Sequence, residues 1–161
     1  MSALSDAARE FLSHKRIAVA GVSRKGDVAA NAIYRKLREA GYEVYAVNPN
    51  GGEVEGDRAW ETIAAIPGGV DGVVIAAHPA ASAQLVRDAA AAGIRRVWMH
   101  RAIGGGSVDD EAVRLANQLG LSVIPGSCPM MFCEPVDIAH KCMRWVFRAT
   151  GREARPQGFA G

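Results

Sequence analysis

One short loop carries the residue types that most clearly indicate ligand chemistry. An apolar strand-like run ends in the loop Gly21, Val22, Ser23, Arg24 and Lys25, and a helix-like segment follows. Glycine lets the backbone turn sharply and approach a ligand, and free N–H groups at the start of a helix attract anions. The serine hydroxyl and the two basic side chains add hydrogen bonds and charge. The loop is therefore a candidate phosphate site, although its basic residues could simply face water.

The loop after the second predicted strand bears on which phosphate compound would bind. An NAD-dependent enzyme needs Asp or Glu about twenty residues beyond the glycines to hold the ribose hydroxyls. Here the residues are Asn48 and Pro49, a neutral amide and a rigid turn residue. The missing carboxylate counts against NAD, whereas NADP stays open because Arg24 and Lys25 could hold a ribose phosphate. Asn48 could contact ribose or adenine, or could serve only in a turn.

Further candidate residues lie at the ends of the third, fourth and fifth predicted strands: Ala77, His78, Pro79, Trp98, Met99 and Cys128. His78 could contact a phosphate or adenine, or could be a structural hydrogen-bonding residue. Trp98 and Met99 could pack on adenine or a pantetheine arm, or could belong to the core. Cys128 is a candidate reactive thiol or a small apolar residue in a packed turn. The sequence alone leaves these alternatives open.

No catalytic set is evident among these loops. The sequence contains no Gly-x-Ser-x-Gly elbow, Walker pattern, paired-carboxylate motif or His-x-x-x-His helix. Three cysteines, with no Cys-x-x-Cys spacing, predict free thiols and no metal site. These features favour a ligand-binding protein over an enzyme.

The elements that must position the loops alternate between strand and helix. Strands are predicted over residues 16–21, 43–47, 72–77, 95–99 and 121–124. Helices are predicted over residues 5–13, 29–40, 59–65, 79–92, 107–119 and 135–148. This alternation predicts a single α/β domain over residues 1–150, with a doubly wound, five-stranded parallel sheet in the order 3-2-1-4-5. Residues 151–161 are predicted to form a flexible tail.

Composition and charge exclude further classes of function. The 161 residues are 49% hydrophobic and 22% charged, with a formal net charge of +2 at pH 7. That charge is too small to indicate nucleic acid, and the sequence has neither a membrane-spanning run nor a secretory signal. We therefore expect a cytoplasmic protein. The apolar face of the last predicted helix, with Ile138, Cys142, Trp145 and Val146, could support a homodimer.

Several segments together resemble the small single-domain CoA-binding proteins, which are similar to the N-terminal CoA-binding domain of the succinyl-CoA synthetase alpha subunit. The resembling segments lie within residues 17–24, 37–49, 70–75, 93–99 and 124–131. The steps Val-Asn-Pro at 47–49, Val-Trp-Met at 97–99 and Cys-Pro-Met-Met at 128–131 are fairly specific when they occur in this order. The resemblance extends over about residues 12–147, nearly the whole chain.

The resemblance implies a Rossmann-like sheet that binds coenzyme A across its switch point, and it assigns roles by matched position. The phosphates would be held by Gly21, Val22, Ser23, Arg24 and Lys25. The adenosine side would be lined by Asn48 and Pro49. The pyrophosphate or pantetheine would be covered by Ala77, His78 and Pro79. The thiol end would lie near Trp98 and Cys128.

The resemblance also bears on activity. The larger synthetase uses a phosphate-carrying histidine from another domain, so we expect no ligase chemistry in this chain. Two positions depart from the family pattern: Asn31 falls where many relatives have an Arg-x-Ser step, and His100 replaces a frequent glutamine. We expect the protein to bind CoA or an acyl-CoA at the carboxyl ends of the strands without catalysis. The alternatives are an NADP-binding oxidoreductase or sensor, and an interaction module with a vestigial pocket.

Overall fold

Apolar segments form a parallel sheet with helices on both sides, as the sequence predicts. A computed structural model describes residues 2–159, and none of the helices in that range is long and apolar enough to cross a membrane. The strands are β1 (Arg16–Ala20), β2 (Glu43–Val47), β3 (Glu53–Val54), β4 (Asp57–Trp60), β5 (Gly72–Ile75), β6 (Arg96–Met99), β7 (Arg101–Ala102), β8 (Gly105–Gly106) and β9 (Ser122–Pro125). The helices are α1 (Ala3–Leu12), α2 (Ala29–Glu39), α3 (Pro79–Ala91), α4 (Asp110–Gln118) and α5 (Ile138–Ala149). The α/β class is confirmed.

The strand order differs from the prediction. The main sheet has seven strands in the order β3-β4-β2-β1-β5-β6-β9, all parallel except β3. The five predicted strands therefore run 2-1-3-4-5, and the predicted order 3-2-1-4-5 is wrong. The third predicted strand, β5, pairs with β1 and is buried along its length, whereas β2 begins with exposed Glu43. Burial on both faces favours an inner position for β5.

The segment beside β2 also differs from the prediction. A helix was expected over residues 59–65, but the chain forms the strand β4 and then a single 3₁₀ turn at Ile63–Ala65. Gly56, with φ of 80°, turns the chain back from β3. Ala59 and Trp60 then pair with the end of β2. This pairing occupies the edge of β2 that the predicted order had given to the third strand.

Two hydrophobic layers cover the sheet. On one face the core includes side chains of α1 and α2, with Met143 and Phe147 of α5 packed against it. On the other face it includes side chains of α3 and α4. Neighbouring strand residues alternate between the layers, so Val19 faces the first and Ala20 the second. The carboxyl ends of the parallel strands meet at the edge where the candidate loops lie.

The segment predicted to be a flexible tail lies along β9 as far as it is described. The backbone N–H of Gln157 donates to the carbonyl of Val123, and the Val123 N–H donates back, both at 2.9 Å. The Ser122 hydroxyl donates to the Gly158 carbonyl at 2.8 Å. The last two residues, 160 and 161, lie outside the described range. The pairing covers part of an edge strand whose backbone groups would otherwise be free.

Replacing Gln157 with proline should lower the free energy of unfolding by about 1–3 kcal/mol, because proline has no N–H to donate to Val123. Urea denaturation followed by tryptophan fluorescence measures the change. Gln157→Ala is the matched control, since it also loses the side-chain contact with Asn117 but keeps the backbone donor. Equal stability of the two variants would contradict a stabilising role for the pairing.

Candidate functional site

The candidate site begins at the crevice between the carboxyl ends of β1 and β5. The chain passes from β1 to β2 on one side and later returns to β5 on the other side, which makes this position the switch point of the sheet. Gly21 closes the crevice with φ of 105°, and a Cβ built on it would lie 2.4 Å from the Ala76 carbonyl oxygen. A glycine is therefore required here by both backbone conformation and space.

The loop that follows Gly21 is held by Asn31. Its side-chain oxygen accepts from the Ser23 N–H at 2.8 Å, and its amide group donates to the Ser23 carbonyl and to Glu55 Oε1, each at 2.7 Å. Asn31 itself is completely buried, whereas its partners Ser23 and Glu55 are partly exposed. The sequence interpretation noted Asn31 only as a departure from the family pattern. Its polar side chain in an alanine-rich helix start was the available signal.

Asn48 joins the loops after β1 and β2. Its amide donates to the Val22 carbonyl at 2.9 Å, and its side-chain oxygen accepts from the Asn50 N–H at 2.9 Å. Arg24 extends over the same loop, where its guanidinium donates to the Gly51 carbonyl at 3.2 Å. Asn48 therefore has a structural role in positioning the loops, and Arg24 places a positive charge beyond the end of β2.

An apolar cavity lies beside this crevice, on the α3 side. Its volume is about 220 Å³, and Gly21, Val47, Pro49, Ile63 and Ala77 are among its lining residues. Apolar walls with a few polar groups at the rim are typical of small-molecule sites. The cavity is suited to a flat, weakly polar group such as a nucleobase.

The residues after β5 form the start of α3. His78 is exposed and caps the helix, with its Nδ1 accepting from the Ala80 N–H at 3.2 Å, and Pro79 occupies the first turn. The Ala77 carbonyl accepts from the Ser107 hydroxyl at 2.6 Å. Thus α3 begins with its own side-chain cap. In contrast, α2 follows Val28, which provides no side-chain cap. The Asn31 N–H donates to the Val28 carbonyl at 3.0 Å, which leaves the N–H groups of Ala29 and Ala30 for other partners.

Trp98 and Met99 lie in the core and not at a ligand surface. Both are completely buried, and the Trp98 indole N–H donates to the Gly126 carbonyl at 3.0 Å. The Trp98 ring packs edge-on against Phe11 of α1, with ring centroids 5.4 Å apart. The sequence interpretation allowed these two side chains to pack on a ligand. That interpretation is wrong, because neither the ring nor the thioether has an accessible surface. Val22 is also completely buried and offers only its backbone.

Cys128 lies apart from the crevice, in the turn after β9. Only 4% of its surface is exposed, and burial raises the pKa of its thiol to about 11. The group is therefore protonated at neutral pH and is a poor nucleophile. It lines a second cavity of about 180 Å³ together with His100, Met130 and residues of α2 and α5. The sequence interpretation did not include His100 among the site residues.

Known proteins are similar to this chain in sequence and in fold. A family model described as "CoA binding domain" matches residues 15–134. The chain is 27% identical over 114 residues to the uncharacterized protein YneT of Bacillus subtilis, covering 71% of this chain and 82% of that protein. It is also 27% identical over 125 residues to the alpha subunit of acetate–CoA ligase [ADP-forming] II of Pyrococcus furiosus, covering 73% of this chain but only 27% of the subunit. A solved structure of a hypothetical protein from Pyrococcus horikoshii is 30% identical, with a TM-score of 0.74 and coverage of 82% and 91% of the two chains.

Replacing Gly21 with alanine should destabilise the protein more than the same change at Gly26. Both glycines have positive φ, so each variant incurs a backbone cost of about 1 kcal/mol, but nothing lies within 4 Å of a Cβ at Gly26. The contact with Ala76 should add about 1–3 kcal/mol for Gly21→Ala. Denaturant unfolding compares the two variants directly. The same midpoint for both would show that the β1 and β5 ends are not in close contact.

Proposed function

The chain belongs to the CoA binding domain family, and from this membership we propose that it binds coenzyme A or an acyl-CoA at the carboxyl ends of its parallel strands. The observation that carries the proposal is the crevice at Gly21, which has an apolar cavity on one side and a basic loop with an uncapped helix start on the other. CoA combines a nucleobase, a diphosphate and a ribose phosphate. Each of these groups has a chemically matched surface along the crevice.

The adenosine end would occupy the cavity beside Pro49. Adenine is flat and largely apolar on its faces, so the walls formed by Val47, Ile63 and Ala77 are suitable neighbours. Arg24 extends over the carbonyls of the loop after β2, where the ribose would lie. CoA carries a phosphate on the 3′-hydroxyl of that ribose. We propose that Arg24 exchanges its carbonyl contacts for this phosphate, which is a stronger charge-assisted partner.

The diphosphate would lie between the loop and the start of α2. Helices α1, α3, α4 and α5 each begin with a side-chain cap, whereas α2 has none. An anion at the uncapped N-terminus would accept from its N–H groups and interact favourably with the helix dipole. Ser23 and Lys25 are near enough in sequence to contribute a hydroxyl and a charge. Asn31 would keep the loop in position without contacting the ligand.

We propose that the domain performs no catalysis of its own. The candidate nucleophile Cys128 is buried with a raised pKa, and the Nδ1 of His78 already caps α3.

We also propose that the protein acts in the cytoplasm, because its three cysteines are free. We propose that it does not bind nucleic acid, because its net charge is small. If no nucleotide binds, we infer that the domain is a protein-interaction module with a vestigial pocket.

The position of Arg24 also supports one alternative, binding of NADP. NADP has a phosphate on the neighbouring 2′-hydroxyl of its adenosine ribose, and the neutral Asn48 does not repel it. Its nicotinamide end, however, is polar and would need several hydrogen-bonding partners. The cavity near Cys128 is almost entirely apolar, which favours CoA over NADP.

Calorimetric titration with CoA, 3′-dephospho-CoA and NADP tests the proposed function. We expect CoA to bind more tightly than NADP, and Arg24→Ala to weaken CoA binding about tenfold or more through the lost charge-assisted bonds. The same variant should bind 3′-dephospho-CoA as the unmodified protein does. Arg114→Ala, at an exposed position of α4, controls for the loss of one charge. NADP binding without CoA binding would overturn the proposal, and binding of neither would favour the interaction module.

We also propose that α5 pairs with its counterpart in a second copy of the chain. Ile138 and Trp145 are 80% and 69% exposed, and with Cys142 they form an apolar row along the helix. An antiparallel pair would bury this row on both copies in an isologous interface. It would also bring the acidic start of one helix, at Asp137, towards the basic end of the other, at Arg148.

Cross-linking through Cys142 tests this dimer. Because Cys128 and Cys133 are buried, a short bismaleimide should join two copies through the exposed Cys142, and light scattering should give twice the monomer mass. Trp145→Glu should abolish both results, because pairing would bury a charge against an apolar row. Leu119→Glu, which adds a charge at a partly exposed apolar position on another helix end, should change neither. A monomeric mass for the unmodified protein at high concentration would refute the pairing.

A further inference from the structure

A further cavity, larger than those beside Gly21 and Cys128, lies beyond the end of β9. Its volume is about 570 Å³, and small-molecule sites typically have about 300–1,000 Å³. Its walls come from four separate parts of the chain: the β7–β8 hairpin, the turn at residues 125–127, Phe147 of α5, and residues 152–155. None of these residues lines the apolar cavity beside the crevice.

The wall that follows α5 is held in place against the turn after β9. A Cβ built on Gly126 would lie 3.4 Å from the Ala154 Cβ and 3.9 Å from the Arg101 Cβ, so the turn lies between the two other walls. The Arg152 N–H donates to the Phe147 carbonyl at 2.8 Å, and the pairing with β9 described above holds the segment at its other end. The cavity therefore has defined walls on each of these sides.

Three arginine side chains line this cavity without a partner in the protein. Arg101, Arg152 and Arg155 are exposed, and their guanidinium groups make no hydrogen bond or ion pair with any residue in the range 2–159. Five other arginines of that range form ion pairs with carboxylates. Glu153 also lines the cavity but forms no ion pair with the three arginines. Three positive charges and one negative charge leave the lining with a net charge of +2.

This arrangement of charge favours an anionic ligand with more than one charged group. Charges of one sign in a concave site with apolar walls raise the local concentration of counter-ions, and Ala102, Pro125 and Phe147 supply such walls. A guanidinium group has a planar set of donors that matches a carboxylate or a phosphate. Because Arg101 and Arg152 belong to different walls, two anionic groups on one ligand could bind both, while a carbon skeleton between them would lie on the apolar surface.

We propose that this cavity binds a small organic anion that carries at least two carboxylate or phosphate groups. One group would bind Arg101, and another would bind Arg152 or Arg155, with the carbon skeleton against Phe147. The ligand would thereby join the β7–β8 hairpin to the segment that follows α5. The site is separate from the crevice at Gly21, and the inference does not rest on the proposed binding of CoA.

Titration with citrate, fructose 1,6-bisphosphate and inorganic phosphate, followed by amide NMR signals at constant ionic strength, tests the inference. We expect citrate, the bisphosphate or both to bind with a Kd below about 1 mM, and inorganic phosphate to bind about tenfold or more weakly because it reaches one wall only. The preferred organic anion identifies carboxylate or phosphate as the recognised group. The shifted signals should be those of residues 101–106, 125–127 and 152–155.

Three outcomes would overturn the inference. The first is the absence of saturable binding of either organic anion up to about 20 mM. The second is a set of shifted signals confined to residues 21–25, which would place the anion at the crevice. The third is inorganic phosphate that binds as tightly as the preferred organic anion, which would show that a single charged group is sufficient.

Alanine variants distinguish the arginines of the cavity from positive charge in general. Arg101→Ala and Arg152→Ala should each raise the Kd of the preferred anion about fivefold, the effect of losing one exposed ion pair. Arg148→Ala is the matched control, because it removes an exposed charge from the same end of α5 but outside the cavity, and it should change the Kd less than about twofold. Thermal unfolding verifies that each variant is folded. Equal effects of Arg148→Ala and Arg152→Ala would overturn the inference.

Discussion

The close approach of the β1 and β5 backbones at Gly21 and Ala76 is the constraint on which the rest of the site depends. Because Gly21 has no side chain, the two strands remain adjacent to their ends while the chain turns away towards α2. The loop after β1 is then held by Asn31 and by Asn48, whose amides bond to backbone atoms of Ser23 and Val22. Hydrogen bonds therefore hold the loops after β1 and β2 together on one side of the crevice, and the other side is the apolar cavity.

Much of the fold could be predicted from the sequence, because the signals for each element are local. Apolar runs locate the five main strands, and glycines such as Gly41 and Gly93 mark the ends of helices with positive φ. Strand order is not local: it depends on which pairs bury the most surface. The fully apolar β5 and the partly exposed β2 held the relevant signal, because an inner strand is buried on both faces. The strand β4 was missed because four residues are too few for a clear period.

The candidate site shows the same difference between features set by neighbouring residues and features set by contacts distant in the sequence. Residues 21–25 and 48–49 could be assigned to the loops after β1 and β2 because turn conformations follow from the residue types themselves. The burial of Trp98 depends on Phe11 and Phe132, which are distant in the sequence, so its core position could not be distinguished from a ligand contact. The importance of Asn31 is likewise set by Glu55, in another turn. The burial of His100, whose Nδ1 has no hydrogen-bond partner among residues 2–159, is likewise a result of packing and not of a local signal.

The cavities beside Gly21 and Cys128 divide the edge of the sheet into chemically distinct halves, and this division favours one kind of ligand. Around β1 and β2 the available groups are cationic or backbone donors, which suit phosphates and a nucleotide. Around β6 and β9 the cavity surface is mostly apolar, although the side chains of His100 and His140 are among its lining residues. The start of α2 borders both halves, so a ligand that occupied both of them would pass this helix end. A dinucleotide is polar at both ends and would leave groups unpaired in the apolar half. The proposed ligand, CoA, would suit both halves better, because its long arm separates the phosphates from the uncharged thiol.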